Sequence, residues 1–231
     1  MITVLIADDQ PLQRFGFRML LDSCADTQVV GEARNGAEAV RRAAELNPDV
    51  VLMDVRMPGM DGIEATRRIV EAGARSHILM LTTFDVDEYV HSALRAGASG
   101  FLLKDAHPEE LLAGIRAVAA GDAVIAPALT RRLLDEFVQH LGSASADERP
   151  ADPRLATLTD REHGILLAIA RGLTNGEIAE ELVLSESTVK THIGRVLAKI
   201  GARDRVQAVI FAYDHGLAGS PSPEIGTTPQ Q

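Results

Sequence analysis

Four short apolar runs in the first half of the chain each end on a residue that can do chemistry. Val4-Leu5-Ile6-Ala7 leads into Asp8 and Asp9, Val50 to Met53 into Asp54, Ile78 to Leu81 into Thr82, and Gly100-Phe101-Leu102-Leu103 into Lys104. In open α/β sheets ligands collect just outside the carboxyl ends of the strands. If these strands lie side by side, three carboxylates, a hydroxyl and an ammonium therefore converge on one rim. Three carboxylates so placed raise one another's pKa and cannot all ionise without a cation. An all-oxygen site of that charge suits Mg²⁺, which takes one or two carboxylates, several waters and a phosphate. The lysine and the threonine would then bind phosphoryl oxygens. Taken singly, each residue has a plainer explanation. Asp9 near Pro11 reads as a helix cap, Lys104 as a surface lysine, Phe101 as core and Thr82 as an ordinary strand residue. Capping and packing do not require all of them at the same end of a strand.

The runs are too short for helices and rich in β-branched residues, as expected of strands buried on both faces of a parallel sheet. Strands are expected near Thr3–Ala7, Val29–Ala33, Val50–Asp54, Ile78–Leu81 and Gly100–Leu103. Helical patterns lie between them near Pro11–Leu21, Gly36–Leu46, Gly62–Ala72, Asp87–Ala96 and Pro108–Ala119. Strict alternation of this kind predicts an α/β doubly wound, five-stranded parallel sheet with right-handed crossovers. Residues 1 to about 121 resemble the receiver domain of bacterial two-component response regulators, which implies a flavodoxin-like strand order. By that resemblance Asp54 is the phosphoacceptor, and Asp8, Asp9, Asp54 and the backbone carbonyl of Arg56 hold Mg²⁺. The resemblance also makes Lys104 the phosphate-pairing lysine, and Thr82 and Phe101 the switch pair.

At 231 residues, 46% of them hydrophobic, the chain is long enough for two domains of ordinary size. It has no apolar stretch of membrane-spanning length and no signal peptide pattern, so a cytoplasmic protein with no membrane contact is expected. Cys24, the single cysteine, falls in the apolar pattern of the first helix and reads as packing. A net charge of −10 argues against nucleic-acid binding, but the charge is unevenly placed. Residues 1–120 carry twelve basic and eighteen acidic side chains, whereas 190–205 hold five basic residues against one acid. Residues 122–154 read as a connecting helix opened by Pro127, with Leu129, Leu133, Leu134, Phe137 and Leu141 on one stripe, followed by a linker rich in Gly, Ser, Ala and Asp. Residues 218–231 have the composition of a disordered tail.

From Thr159 the pattern is helical only. Thr159-Asp160-Arg161-Glu162 and Thr174-Asn175-Gly176-Glu177 each have the capping-box form, and Ser185 and Gly201 bracket a longer helix. A short helix, a tight turn and a longer helix have the dimensions of a helix-turn-helix. Val189, Ile193, Val196, Leu197 and Ile200 repeat at core spacing, which turns Ser187, Lys190, Thr191, Gly194 and Ala198 outward. Small residues around one lysine suit close approach to base edges in a major groove. Mid-helix Gly194 costs about 1 kcal/mol relative to Ala. Residues 155–217 resemble the LuxR-type helix-turn-helix, a small all-α domain of four helices. Carried over by position, Lys190 and Thr191 would read bases, while Thr188, Arg195, Lys199 and Arg203 would contact phosphates. His192 is expected to pack rather than bind a metal.

With the receiver in front, the whole chain resembles a NarL/FixJ-type response regulator. That resemblance implies phosphorylation of Asp54 by a sensor histidine kinase, dimerisation on activation and binding to double-stranded promoter DNA. The sequence departs from the family at Asp105, where proline is usual, at Thr83 and at Gly194. Two other classes compete with this reading: an enzyme with an aspartyl-phosphate intermediate, and a DNA-binding regulator that uses its receiver only to dimerise, independently of phosphorylation.

Overall fold

The computed structural model describes residues 1–83, 90–122, 124–125 and 152–217. The receiver alternates β1 (Ile2–Ala7), α1 (Pro11–Asp22), β2 (Thr27–Ala33), α2 (Gly36–Leu46), β3 (Val50–Asp54), α3 (Gly62–Glu71), β4 (His77–Thr82), α4 (Val90–Arg95), β5 (Gly100–Leu103) and α5 (Pro108–Ala119), and ends in β6 (Val124–Ile125). All strands are parallel and ordered β2-β1-β3-β4-β5-β6. The five expected strands thus adopt the flavodoxin-like order. The two-residue β6 beside β5 is an addition that its length hides from pattern reading. The proposed connecting helix, at 127–141, and the tail lie outside the described residues.

Side-chain alternation along each strand divides the apolar runs between two cores. Leu5, Val51, Met53, Ile78, Met80 and Phe101 face α2, α3 and α4. Val4, Ile6, Val50, Leu52, Leu79, Leu81 and Leu102 face α1 and α5 through Phe17, Leu21, Leu111 and Ile115. Helices on both faces explain why the strands lack polar alternation. Cys24 lies just past the end of α1 and is half-buried.

The second domain begins with a 3-10 turn at Leu155–Thr157 and continues through α6 (Asp160–Ala170), α7 (Asn175–Leu182), α8 (Glu186–Ile200) and α9 (Arg205–Asp214). Thr159 and Thr174 cap α6 and α7 with the expected reciprocal boxes, Glu162 and Glu177 reaching back to the cap amides. The Ser185 hydroxyl accepts from Thr188 N at the start of α8, and Gly201 closes it at φ +72°. Its core gathers Ile165, Leu166, Ile169, Ile178, Val189, Val196, Ile200 and Phe211. Among the described residues no helix is long and apolar enough to cross a membrane.

Candidate phosphoacceptor site and nucleic-acid interface

The sheet order reverses between β1 and β3, and a topological switch point of this kind opens a crevice at the carboxyl ends of the strands. Ala7 pairs with Met53, so Asp8 and Asp54 emerge side by side there. Both are buried, at 1% and 4% exposure, while Asp9 is exposed at the lip. One carboxylate oxygen of each of the three lies within 4.8 Å of the others. Asp9 does not cap α1: Gln10 is its N-cap, and the Gln10 amide donates to Asp8 Oδ1 at 2.8 Å.

Lys104 follows β5 and is held at the rim by its own amide, which donates to the Thr82 carbonyl at 2.7 Å. Its Nζ lies 2.7 Å from Asp8 Oδ2 and 2.7 Å from Asp54 Oδ2. Burial alone would lower the Lys104 pKa, but the two carboxylates outweigh it and raise the pKa above the ordinary lysine value. For Asp54 burial wins. It pushes the carboxyl above its usual range against the pull of Lys104, with the neighbouring Asp8 charge adding to the rise. One ammonium is therefore insufficient for this cluster, and the all-oxygen donor set fits a divalent cation.

The flanking groups complete the rim. Arg56 N donates to Asp54 Oδ1 at 3.3 Å, which places its peptide beside the cluster. Thr82 is buried and its Oγ donates to the Thr83 carbonyl at 3.1 Å. Phe101, the other member of the expected switch pair, is fully buried, at 0% exposure, in an apolar cluster that also holds Val206 and Ile210 of α9.

Two supports escaped the sequence reading. Arg14 sits on the buried side of α1, where its Nη1 donates to the Asp8 carbonyl at 2.8 Å while Nε pairs with Glu32 at 3.1 Å. An arginine in phase with Phe17 and Leu21 was the available signal. At Gly62, a Cβ would lie 2.0 Å from the Asp54 carbonyl oxygen, and the Gly62 amide donates to Val55 O at 2.9 Å. The glycine lets α3 start hard against the end of β3.

In the second domain, Lys190, Thr191, Gly194, Arg195 and Ala198 are exposed along one side of α8, and Thr188 is half-buried. Gly194 has open space where a Cβ would stand, so among the described residues nothing requires a glycine there. The other two cations assigned to phosphates are engaged within the protein. Lys199 Nζ pairs with buried Glu162 at 2.6 Å and donates to the Thr157 carbonyl at 2.9 Å. Arg203 donates to the receiver carbonyls of Ala74 and Ser76.

Residues 4–116 match the response regulator receiver domain, and residues 156–212 match the LuxR family of bacterial regulatory proteins. The chain is 46% identical over 216 residues to the uncharacterized transcriptional regulatory protein YxjL of Bacillus subtilis, covering 94% of this chain and 97% of that one. It is 38% identical to the nitrate/nitrite response regulator protein NarL of Escherichia coli, covering 93% and 96%. Among solved structures it resembles the response regulator ChrA of a heme-sensing two-component system, at 35% identity and a TM-score of 0.50, covering 94% of this chain and 98% of that one. The chain belongs to the NarL-type two-component response regulators, transcription regulators rather than enzymes, which join a receiver to a LuxR-type DNA-binding domain.

Proposed function

We propose that Asp54 accepts a phosphoryl group from a sensor histidine kinase and that the acyl phosphate favours a homodimer able to bind promoter DNA in the cytoplasm. The observation that carries this reading is the Asp54 carboxylate at the end of β3, 2.7 Å from Lys104 and beside Asp8 and Asp9. In the transfer step an Asp54 oxygen attacks phosphorus, the bond to the donor's histidine nitrogen breaks, and the released imidazole takes up a proton. Asp8, Asp9, Asp54 and the Arg56 carbonyl would hold Mg²⁺, which supplies charge to the transferring oxygens. Lys104 neutralises the product from the other side.

The change phosphorylation makes first is at Thr82, at the end of the strand beside the one that carries Phe101. Its hydroxyl leaves the Thr83 carbonyl and turns to the phosphoryl group, repacking the rim above Phe101. On the second domain, Lys190 and Thr191 would meet base edges, with Thr188, Arg195, Lys199 and Arg203 on phosphates. A dimer would set two such helices on half-sites about 10 bp apart, or a multiple of it.

The test is incubation with a small acyl-phosphate donor and Mg²⁺, read by intact mass and by promoter binding. Wild type should gain one phosphoryl group and bind duplex more tightly, while Asp54→Asn should do neither. Equal binding by the treated variant and treated wild type would favour a regulator that works without phosphorylation.

A further inference from the structure

Asp8 and Asp9 are neighbours in the chain, so the peptide that joins them fixes how their carboxylates stand relative to each other. The backbone there is held on both sides. The Asp8 amide donates to the Ala33 carbonyl at the end of β2, at 3.1 Å, and the Asp8 carbonyl accepts from Arg14 Nη1 at 2.8 Å. One peptide on, the Gln10 amide donates to Asp8 Oδ1 at 2.8 Å. Asp9, exposed at the lip, therefore sits between two pinned groups, the Asp8 carbonyl and the Gln10 amide.

Arg14 reaches this peptide from the buried side of α1 and is itself only 9% exposed. Burying a guanidinium is costly unless it is paired. Glu32, the residue before Ala33 on β2, supplies the counter-charge: Arg14 Nε lies 3.1 Å from one carboxylate oxygen and Arg18 Nε 2.6 Å from the other. Burial alone would raise the Glu32 carboxyl, but the two guanidinium groups outweigh it and hold it below its usual range. Arg14 and Arg18 stand one turn apart, share this acid and carry the same charge. Among the described residues, Arg14 alone of the two goes on to the backbone of a rim acid.

Packing α1 on β2 needs only the ion pairs. The bond to the Asp8 carbonyl adds something else, because it sets a positive group close behind a cluster suited to a cation. By charge alone that arrangement disfavours a cation. By geometry it favours one, since outer groups that lock a ligand in place account for roughly ten- to hundredfold in metal affinity. We infer that Arg14 is a positioning residue for the divalent cation, clamping the Asp8–Asp9 peptide so that both carboxylates meet the ion without rearrangement. The inference rests on the Mg²⁺ reading of the rim above and adds a residue outside the ligand set that decides its affinity. Charge and geometry predict opposite signs for the loss of Arg14, which makes the role measurable.

The experiment uses the full chain and Mn²⁺, a divalent ion that takes the same oxygen ligands and whose free form is read directly by electron paramagnetic resonance. Arg14→Met removes donor and charge while filling much of the space, and Arg18 still pairs with Glu32 in this variant. Its Kd for Mn²⁺ should rise about tenfold. Arg18→Met takes the same charge from the same acid without touching Asp8, and should bind like the parent. Arg14→Lys keeps the charge and one donor but not the rigid fork, so its Kd should fall between those of the parent and Arg14→Met. Arg14→Met binding Mn²⁺ as tightly as the parent, or more tightly, would overturn the inference, as would an equal loss in Arg18→Met. Should Arg14→Met fail to fold, Arg14→Lys decides: a Kd above the parent's supports the clamp, and one equal or lower overturns it. Mn²⁺ binding by the parent that Asp9→Asn leaves unchanged would remove the metal reading of the rim, and this inference with it.

Discussion

The surroundings of Asp54 make its charge costly. Its raised pKa means that the folded state holds the proton more tightly than the unfolded chain does. The fold therefore loses stability as pH rises from the ordinary carboxylate value through the raised one, and the loss is complete above it. Asp54→Asn should raise the melting temperature at neutral pH and flatten its fall between acid and neutral pH. Mg²⁺ should stabilise wild type more than this variant. A melting temperature that Asp54→Asn leaves unchanged at neutral pH would mean that Lys104 alone balances the cluster. The acids and Lys104 were readable because their types and strand-end positions coincide. Arg14 was not singled out, since one buried arginine on an amphipathic helix differs little in pattern from a solvated one.

At the scale of elements, the strand ends set the chemistry and the helix starts hold them in place. Gly62 lets α3 begin in contact with the Asp54 carbonyl. Gly62→Ala should force that carbonyl to shift, so phosphoryl uptake in the mass assay should fall at least tenfold, while the circular dichroism of the helices changes little. Uptake at the parent rate would show that the β3 end tolerates the shift. The capping boxes at Thr159 and Thr174 and the cap at Ser185 were legible because hydroxyl and glutamate spacing has a direct geometric meaning. The turn between α7 and α8 was less so. It places Val183 at φ +53° and 89% exposed, a left-handed conformation that a β-branched residue does not announce. Two-residue β6 carries too little pattern to read.

For the molecule as a whole, the arrangement of the two domains was the least legible feature. Arg203 reads in sequence as one more cation beside a groove-reading helix, and only the fold brings Ala74 and Ser76 to it across 127 or more positions. If the acidic rim is coupled to the contacts that Arg203 and Gln207 make with the receiver, phosphodonor with Mg²⁺ should increase hydrogen exchange at 94–99 and 203–207 together. Unchanged exchange there would mean that phosphorylation acts without touching the docking. The alternating receiver pattern and the helical second half were plain because each follows from local periodicity, whereas a seam of side chains on backbone carbonyls leaves no periodic trace.

A Ser precedes each of strands β4 and β5, and a group proposed to bind phosphoryl oxygens stands at the other end: Ser76 and Thr82, Ser99 and Lys104. Six residues at about 3.3 Å each make a rod of roughly 20 Å. Hydrogen-bonded parallel rods resist stretching, so a pull at the acidic end can reach the far end only as a tilt or a slide of the pair against α4. An inserted residue within β4 would thus leave both ends chemically intact while putting them out of step.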